Sequence, residues 1–317
     1  MRKILYDDNS QQDLMKKGYT KVSLLSQTEV SYLLSEIDKL HPDDKFTPSS
    51  EKTFGNTCHF TFLDTNIEYR RKVNNLIREV FSPYVNQILI DYKILTGNLF
   101  VKPIGMGNVH AHVHWNYTEK LNDTSITFWC PLVDTNEENG TLQVVEGSHK
   151  IMSDINGPAM TFYFDNFIDK IIADYSTPVY AKAGEAVIFD GSLIHWSADN
   201  KSDKPRPAIQ VDNIPSESIP MVYYNDHSSS DNKFEMVGIE DNFFIEKSLL
   251  ESFRRAESLK SLGFIKNQNR KITEDEFVQL MKSGDEIRQK IYFHKKEAES
   301  IAPPSLISRI KSIFKRF

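Results

Sequence analysis

The chain has 317 residues, with 44 acidic side chains against 38 basic ones, a formal net charge of -6, and 39% hydrophobic residues. Twenty Phe and 13 Tyr make it too apolar and aromatic for a disordered chain, and the mildly acidic balance lacks the basic footprint of a general nucleic-acid binder. Two cysteines, Cys58 and Cys130, exclude a disulfide framework and read as buried free thiols.

The N-terminus turns acidic at Asp7-Asp8 before an apolar stretch can form, so no signal peptide is read and a cytoplasmic location is expected. Ser26-Gln-Thr-Glu29 is a capping box, and behind it Val30, Leu33, Leu34, Ile37 and Leu40 recur at helical spacing. A second amphipathic helix is predicted from about Asn66 to Phe81, with Pro83 marking its end. Residues 1–84 thus form an N-terminal helical support.

From about residue 85 to 225 the pattern changes to short strands. Ser125 to Val133 alternates, placing Ile126, Phe128, Cys130 and Leu132 on one face and Thr127 and Trp129 on the other. Thr141–Val145, Glu185–Asp190, Pro207–Val211 and Pro220–Tyr224 are further strands, separated by turn signals such as Asn139-Gly140 and Gly184. Such punctuation predicts a sandwich or jelly roll. The segment from about 151 to 182 is rich in aromatics (Phe162, Tyr163, Phe164, Phe167, Tyr175) and is expected to cap a pocket.

Residues 226–317 read as a C-terminal helical extension, with Thr273-Glu-Asp-Glu276 capping a helix that carries Phe277, Leu280 and Met281. In 305–317 an apolar stripe of Leu306, Ile307, Ile310, Ile313, Phe314 and Phe317 is flanked by Arg309, Lys311, Lys315 and Arg316. It reads first as a terminal helix packed on its own domain. Weak contact with a membrane surface or a partner is the alternative. No window is apolar for long enough to suggest a transmembrane span.

The chemistry concentrates in Asn108-Val-His110-Ala-His112-Val-His114-Trp115, which holds three of the nine histidines. At strand spacing alternate histidines share a face and can supply two metal ligands. A third is offered by His195. Arg206 follows eleven residues later, and its guanidinium suits a carboxylate; Ser197 adds a hydroxyl to the same purpose.

Three blocks carry a resemblance to a known family. They are His112-Val-His114-Trp115; the run from Trp129-Cys-Pro-Leu-Val-Asp134 through Asn139-Gly140 to Gly147-Ser148-His149-Lys150; and His195-Trp-Ser197 through Asn200 and Ser202 to Arg206. Over roughly residues 85 to 215 the chain resembles the phytanoyl-CoA hydroxylase family of iron(II)/2-oxoglutarate dioxygenases. The resemblance implies a fold that is mainly β with flanking helices around a double-stranded β-helix, a cupin-like jelly roll. It implies iron(II) at one mouth, with dioxygen and the cosubstrate 2-oxoglutarate, whose far carboxylate meets Arg206 and Ser197. Thr127 occupies a strand position where the family has a hydroxyl helping that carboxylate. Lys102 either faces the site or is a solvated lysine. Trp129 lines the cavity, whereas Trp115 and Trp196 alternate away from the proposed ligands. His149 reads as structural or as a support behind the ligands.

The departure is His114, which stands where the family has an Asp. Glu119 and Asp123, the nearest following acids, are too far along the strand to replace it simply. Three readings follow: His112, His114 and His195 hold iron and the enzyme hydroxylates a small molecule with 2-oxoglutarate; a three-His dioxygenase works without 2-oxoglutarate; or an inactive jelly roll binds a ligand.

Overall fold

The computed structural model describes residues 3–40, 46, 57–118, 124–151, 155–158, 164–226, 233–267 and 271–283. Helix α1 (Asp8–Lys17), strand β1 (Tyr19–Ser23) and α2 (Gln27–Leu40) lead to β2 (His59–Phe60), α3 (Ile67–Ile88) and β3 (Tyr92–Lys102). There follow β4 (Val109–His112), β5 (Ile126–Pro131), β6 (Leu142–Val145), α4 (Ile168–Tyr175), β7 (Ser176–Val179), β8 (Glu185–Asp190), β9 (His195–Ser197) and β10 (Arg206–Pro215). The C-terminal part holds β11 (Met221–Asp226), β12 (Lys233–Gly238), the one-turn helices α5 (Phe243–Glu246) and α6 (Leu249–Ser252), β13 (Ser261–Lys266) and α7 (Glu274–Ser283).

Two antiparallel sheets make the core. The larger runs β1-β8-β5-β10-β3-β2 and the smaller β4-β9-β6-β7. Strands β3 to β10 pass back and forth between the two sheets as they wind, with only β6 and β7 consecutive in one sheet, which is the connectivity of a double-stranded β-helix.

The pleat sorts side chains between the two faces of the larger sheet. Ile126, Phe128, Cys130, Leu132, Ile188, Ile209 and Val211 pack outward, against Leu33 and Ile37 of α2 and Val73, Ile77 and Phe81 of α3. Trp129, Val187, Phe189 and Ala208 pack inward, against Leu142, Val144 and Val179 of the smaller sheet. The predicted faces of Ser125–Val133 are those observed. Both capping boxes also form: the Ser26 amide and hydroxyl donate to Glu29 and the Glu29 amide to Ser26 Oγ, while the Thr273 amide donates to Glu276 and the Glu276 amide to Thr273 Oγ1.

Three expectations differ from the structure. Pro83 lies inside α3 rather than ending it. Proline removes one amide bond, and here the Ser82 hydroxyl donates to the Arg78 carbonyl while Phe81 and Val85 on either side are buried. The C-terminal part is not simply helical, because β11, β12 and β13 form a third antiparallel sheet. Strands β12 and β13 are only six residues long, too short for their period to separate strand from helix. The described aromatic residues of 151–182, Phe164, Phe167 and Tyr175, pack with Ile171 behind the smaller sheet against Phe277 of α7, and no described residue of the segment lines the cavity. The aromatic rings of Phe167 and Tyr175 contact Phe277 edge-on. Phe162, Tyr163 and the basic stripe at 305–317 lie outside the described residues.

The Asn139-Gly140 turn braces the end of β9. Gly140 has φ +71°, and a Cβ there would stand 2.4 Å from the Ala198 carbonyl oxygen. A Gly140→Ala variant is expected to lose more than about 1 kcal/mol of stability from backbone strain alone, read as a lowered denaturant midpoint.

Candidate metal and carboxylate site

Strands β4 and β9 pair antiparallel, with His112 opposite His195 and an irregularity between Val109 and His112. Two residues on, the His114 amide donates to the Gly191 carbonyl, and Asn156 Nδ2 donates to the carbonyls of both Val113 and His114. These bonds draw the three imidazoles together. Their ring centroids lie 4.2 Å (His112–His195), 4.8 Å (His114–His195) and 5.7 Å (His112–His114) apart. One nitrogen from each lies within 4.8 Å of the others. His110, the remaining histidine of the cluster in sequence, is exposed.

In each of the three rings Nδ1 is already engaged. His112 Nδ1 meets the His110 carbonyl at 2.7 Å and His195 Nδ1 the Leu193 carbonyl at 2.9 Å. A carbonyl only accepts, so both Nδ1 atoms carry the proton and both Nε2 atoms keep a free lone pair. His114 Nδ1 meets Thr127 Oγ1 at 2.9 Å, and the Thr127 hydroxyl in turn donates to Asp212 Oδ1 at 2.7 Å. Gln210 Nε2 donates to Asp212 Oδ2 at 2.8 Å. Fixing one ring nitrogen by a carbonyl or carboxylate is how proteins aim the other at a metal.

Arg206, Ala208, Gln210 and Asp212 alternate along the inner face of β10, and Thr96, Asn98, Phe100 and Lys102 along the paired β3. Arg206 is 3% exposed, and its plane is covered by Trp129, with the guanidinium carbon 5.3 Å from the ring centroid. Its Nε and Nη1 have no hydrogen-bond partner among the described residues. Burial lowers its pKa to about 10, so it stays cationic at neutral pH.

These groups line one cavity of about 330 Å³. Its walls are Phe60 and Phe62 on the N-terminal side, Phe100, Trp129 and Phe189 from the larger sheet, and Phe244, Leu249 and Phe253 from the C-terminal helices. Among the described residues, the aromatic closure expected from 151–182 comes instead from 58–62 and 244–253, segments that carry no motif. Trp129 lines the cavity as expected. Trp115 and Trp196 also reach its edge while packing outward, Trp115 on Phe253 and Trp196 by an Nε1 hydrogen bond to Ser176. His149 is structural, its Nε2 meeting the Met15 carbonyl at 3.1 Å.

Ser197 lines the cavity with Arg206. Lys102 faces the site, one of its two expected places, and lines the cavity, whereas Thr127 plays a part that differs from the one expected. Lys102 is fully buried rather than solvated, and it donates to the carbonyls of Gly107, Ser197 and Ala198. An ammonium has three donors, so none remains for a ligand. Burial first, then the charge of Arg206, pushes its pKa down to about 7. The Thr127 hydroxyl is taken up between His114 and Asp212. Asn200 shapes the turn into β10 by donating to the carbonyls of Lys102 and Lys204.

Asp212 is the site residue that sequence reasoning missed. The signal was available: six residues after Arg206 on one strand, it shares Arg206's face by the period of two. Burial pushes its carboxyl upward, but the hydrogen bonding and charge of His114, with Gln210 and Thr127, outweigh this and hold it below the usual range. Glu119 and Asp123 lie outside the described residues.

The family model described as phytanoyl-CoA dioxygenase (PhyH) matches residues 14–208. The chain belongs to the phytanoyl-CoA dioxygenase family. Among curated relatives, the dioxygenase cdmD of Talaromyces verruculosus is 28% identical over 158 residues, covering 49% of this chain and 42% of that protein. The phytanoyl-CoA dioxygenase of Arabidopsis thaliana is 29% identical over 198 residues, covering 59% and 56%. The chain thus spans about half the length of these curated relatives. Among solved structures, the non-heme alpha-ketoglutarate-dependent carbocyclase SnoK from nogalamycin biosynthesis aligns with a TM-score of 0.52 at 18% identity, over 68% of this chain and 86% of that one. At that identity the likeness shows the shared fold.

Burial, then the neighbouring imidazoles, lowers the pKa of His112 to about 4 and that of His195 well below the ordinary 6.5. A folded value below the unfolded one means that the unfolded chain binds protons first as pH falls. The metal-free protein should therefore lose stability between about pH 6.5 and 4. Urea denaturation across that window should show a smaller loss in His112→Gln than in the wild type.

Proposed function

We propose that this protein is an iron(II)- and 2-oxoglutarate-dependent oxygenase that hydroxylates a small molecule, with His112, His114 and His195 holding the metal. Arg206 carries the reading. A buried guanidinium with unengaged donors costs several kcal/mol, and a carboxylate pairing with it bidentately offsets that cost. Such a cation shares its cavity with three imidazoles whose Nδ1 atoms are engaged. 2-Oxoglutarate matches both features: its keto-acid end suits a metal ion and its far carboxylate suits Arg206. Ser197 offers that carboxylate a hydroxyl.

Bound iron(II) and 2-oxoglutarate supply the oxidation by dioxygen. The protein's own part is to orient and to shield. Nitrogen ligands are the usual partners of first-row transition metals. Phe60, Phe100, Phe244 and Phe253 exclude water and favour an apolar substrate. A three-His centre without 2-oxoglutarate would leave Arg206 without its counter-charge, and an inactive binding protein has no need of three imidazoles pinned through Nδ1.

A cytoplasmic setting is consistent with two unpaired, buried cysteines, and nucleic acid is not among the proposed ligands. No helix among the described residues is long and apolar enough to cross a membrane.

Anaerobic iron(II) with 2-oxoglutarate should produce a visible charge-transfer band, and admitting dioxygen should release succinate. Arg206→Ala should weaken 2-oxoglutarate binding by about 2–5 kcal/mol, the penalty for truncating one partner of a buried charge pair. Failure of the wild type to take up iron(II), or unchanged 2-oxoglutarate affinity in Arg206→Ala, would overturn the assignment.

A further inference from the structure

The replacement of an acid by His114 leaves the three-His site one negative charge poorer than two histidines and a carboxylate. The structure places a carboxylate behind that histidine. Asp212 is 3% exposed and accepts at both oxygens, from Thr127 at Oδ1 and from Gln210 at Oδ2. His114 Nδ1 lies 3.5 Å from Asp212 Oδ1 and 2.9 Å from the intervening Thr127 hydroxyl. Thr127 has one proton. It points to Asp212, so the hydroxyl oxygen accepts from His114, Nδ1 carries the ring proton, and Nε2 is left bare.

We propose that Asp212, acting through Thr127, is a positioning residue for the metal: it holds His114 in the tautomer that can ligate and returns, one residue further out, the negative charge that the site lacks. This rests on the reading of His114 as an iron ligand. An imidazole whose Nδ1–H is drawn toward a carboxylate is also a more basic donor at Nε2. The polarity of the chain depends on Asp212 being unable to donate. With Gln210 Nε2 still donating to its oxygen, an amide in place of Asp212 presents its NH2 to Thr127 Oγ1, turns the Thr127 proton toward His114 Nδ1, and moves the ring proton to Nε2, where it blocks ligation.

The test uses the full chain and iron(II) alone, titrated anaerobically in competition with a chromogenic chelator, so that no turnover is needed. Asp212→Asn should weaken iron(II) binding by about 10- to 100-fold, the range for disrupting such outer partners. Thr127→Val should do the same, and adding it to Asp212→Asn should bring little further loss because both break one chain. Thr127→Ser, which keeps the hydroxyl, should bind as the wild type does. The melting temperature of each metal-free variant separates lost ligation from lost folding, and Thr127→Val, an isosteric change, reads the same link should Asp212→Asn fold poorly. Wild-type affinity in folded Asp212→Asn or in Thr127→Val overturns the positioning role while leaving the oxygenase reading intact. No iron(II) uptake by the wild type overturns both.

Discussion

The inner face of β10 carries two buried charges of opposite sign, and much of the molecule serves to accommodate them. Arg206 and Asp212 stand six residues apart on one strand, about 20 Å along it at the usual rise. Neither sits at a surface where water can solvate it. Asp212 is satisfied from within, by Thr127, Gln210 and His114. Arg206 is stacked on Trp129, with two nitrogens unengaged among the described residues. The interior is thus complete at one end of the strand and incomplete at the other, and the cavity lies over both.

Holding such charges in place demands a rigid frame. The opposite face of the same sheet is almost wholly apolar and is covered by α2 and α3, which fixes the strand register and hence the spacing of the inward polar groups. Lys102 stands across from Arg206 and serves structurally, tying the 103–107 loop and the end of β9 to β3 through three carbonyls. The same contacts place Ser197 beside the cavity. The buried Asn200 braces that loop through backbone bonds with Gly105 and Met106, and the Asn139-Gly140 turn braces the end of β9.

Two features of the site were legible in the residues themselves. His112, His114 and His195 fall within metal-ligand reach because β4 and β9 are neighbours, as the family resemblance implied. The alternation of Ile126 to Leu132 against Thr127 and Trp129 follows from the pleat alone. Other features were not legible. Pro83 reads locally as a stop, yet the burial of Phe81 and Val85 carries α3 through it. Phe244 and Phe253 reach the cavity from short C-terminal helices whose sequence gives no sign of a distant barrel mouth. Thr127 was expected to serve the carboxylate site; a hydroxyl's partner depends on which acid stands opposite it, and Asp212 belongs to a strand some eighty-five residues away.

The sequence by itself determined which side chains share a face, where the capped helices begin, and which residue types are available for metal and carboxylate chemistry. Each depends on interactions within a few residues. Only the tertiary structure decided that a carboxylate lies behind His114, that Lys102 is fully engaged, and that Arg206 is buried with unengaged donors. Those facts depend on pairings between strands distant in the chain, and on the exclusion of water that makes a buried charge costly until it is paired.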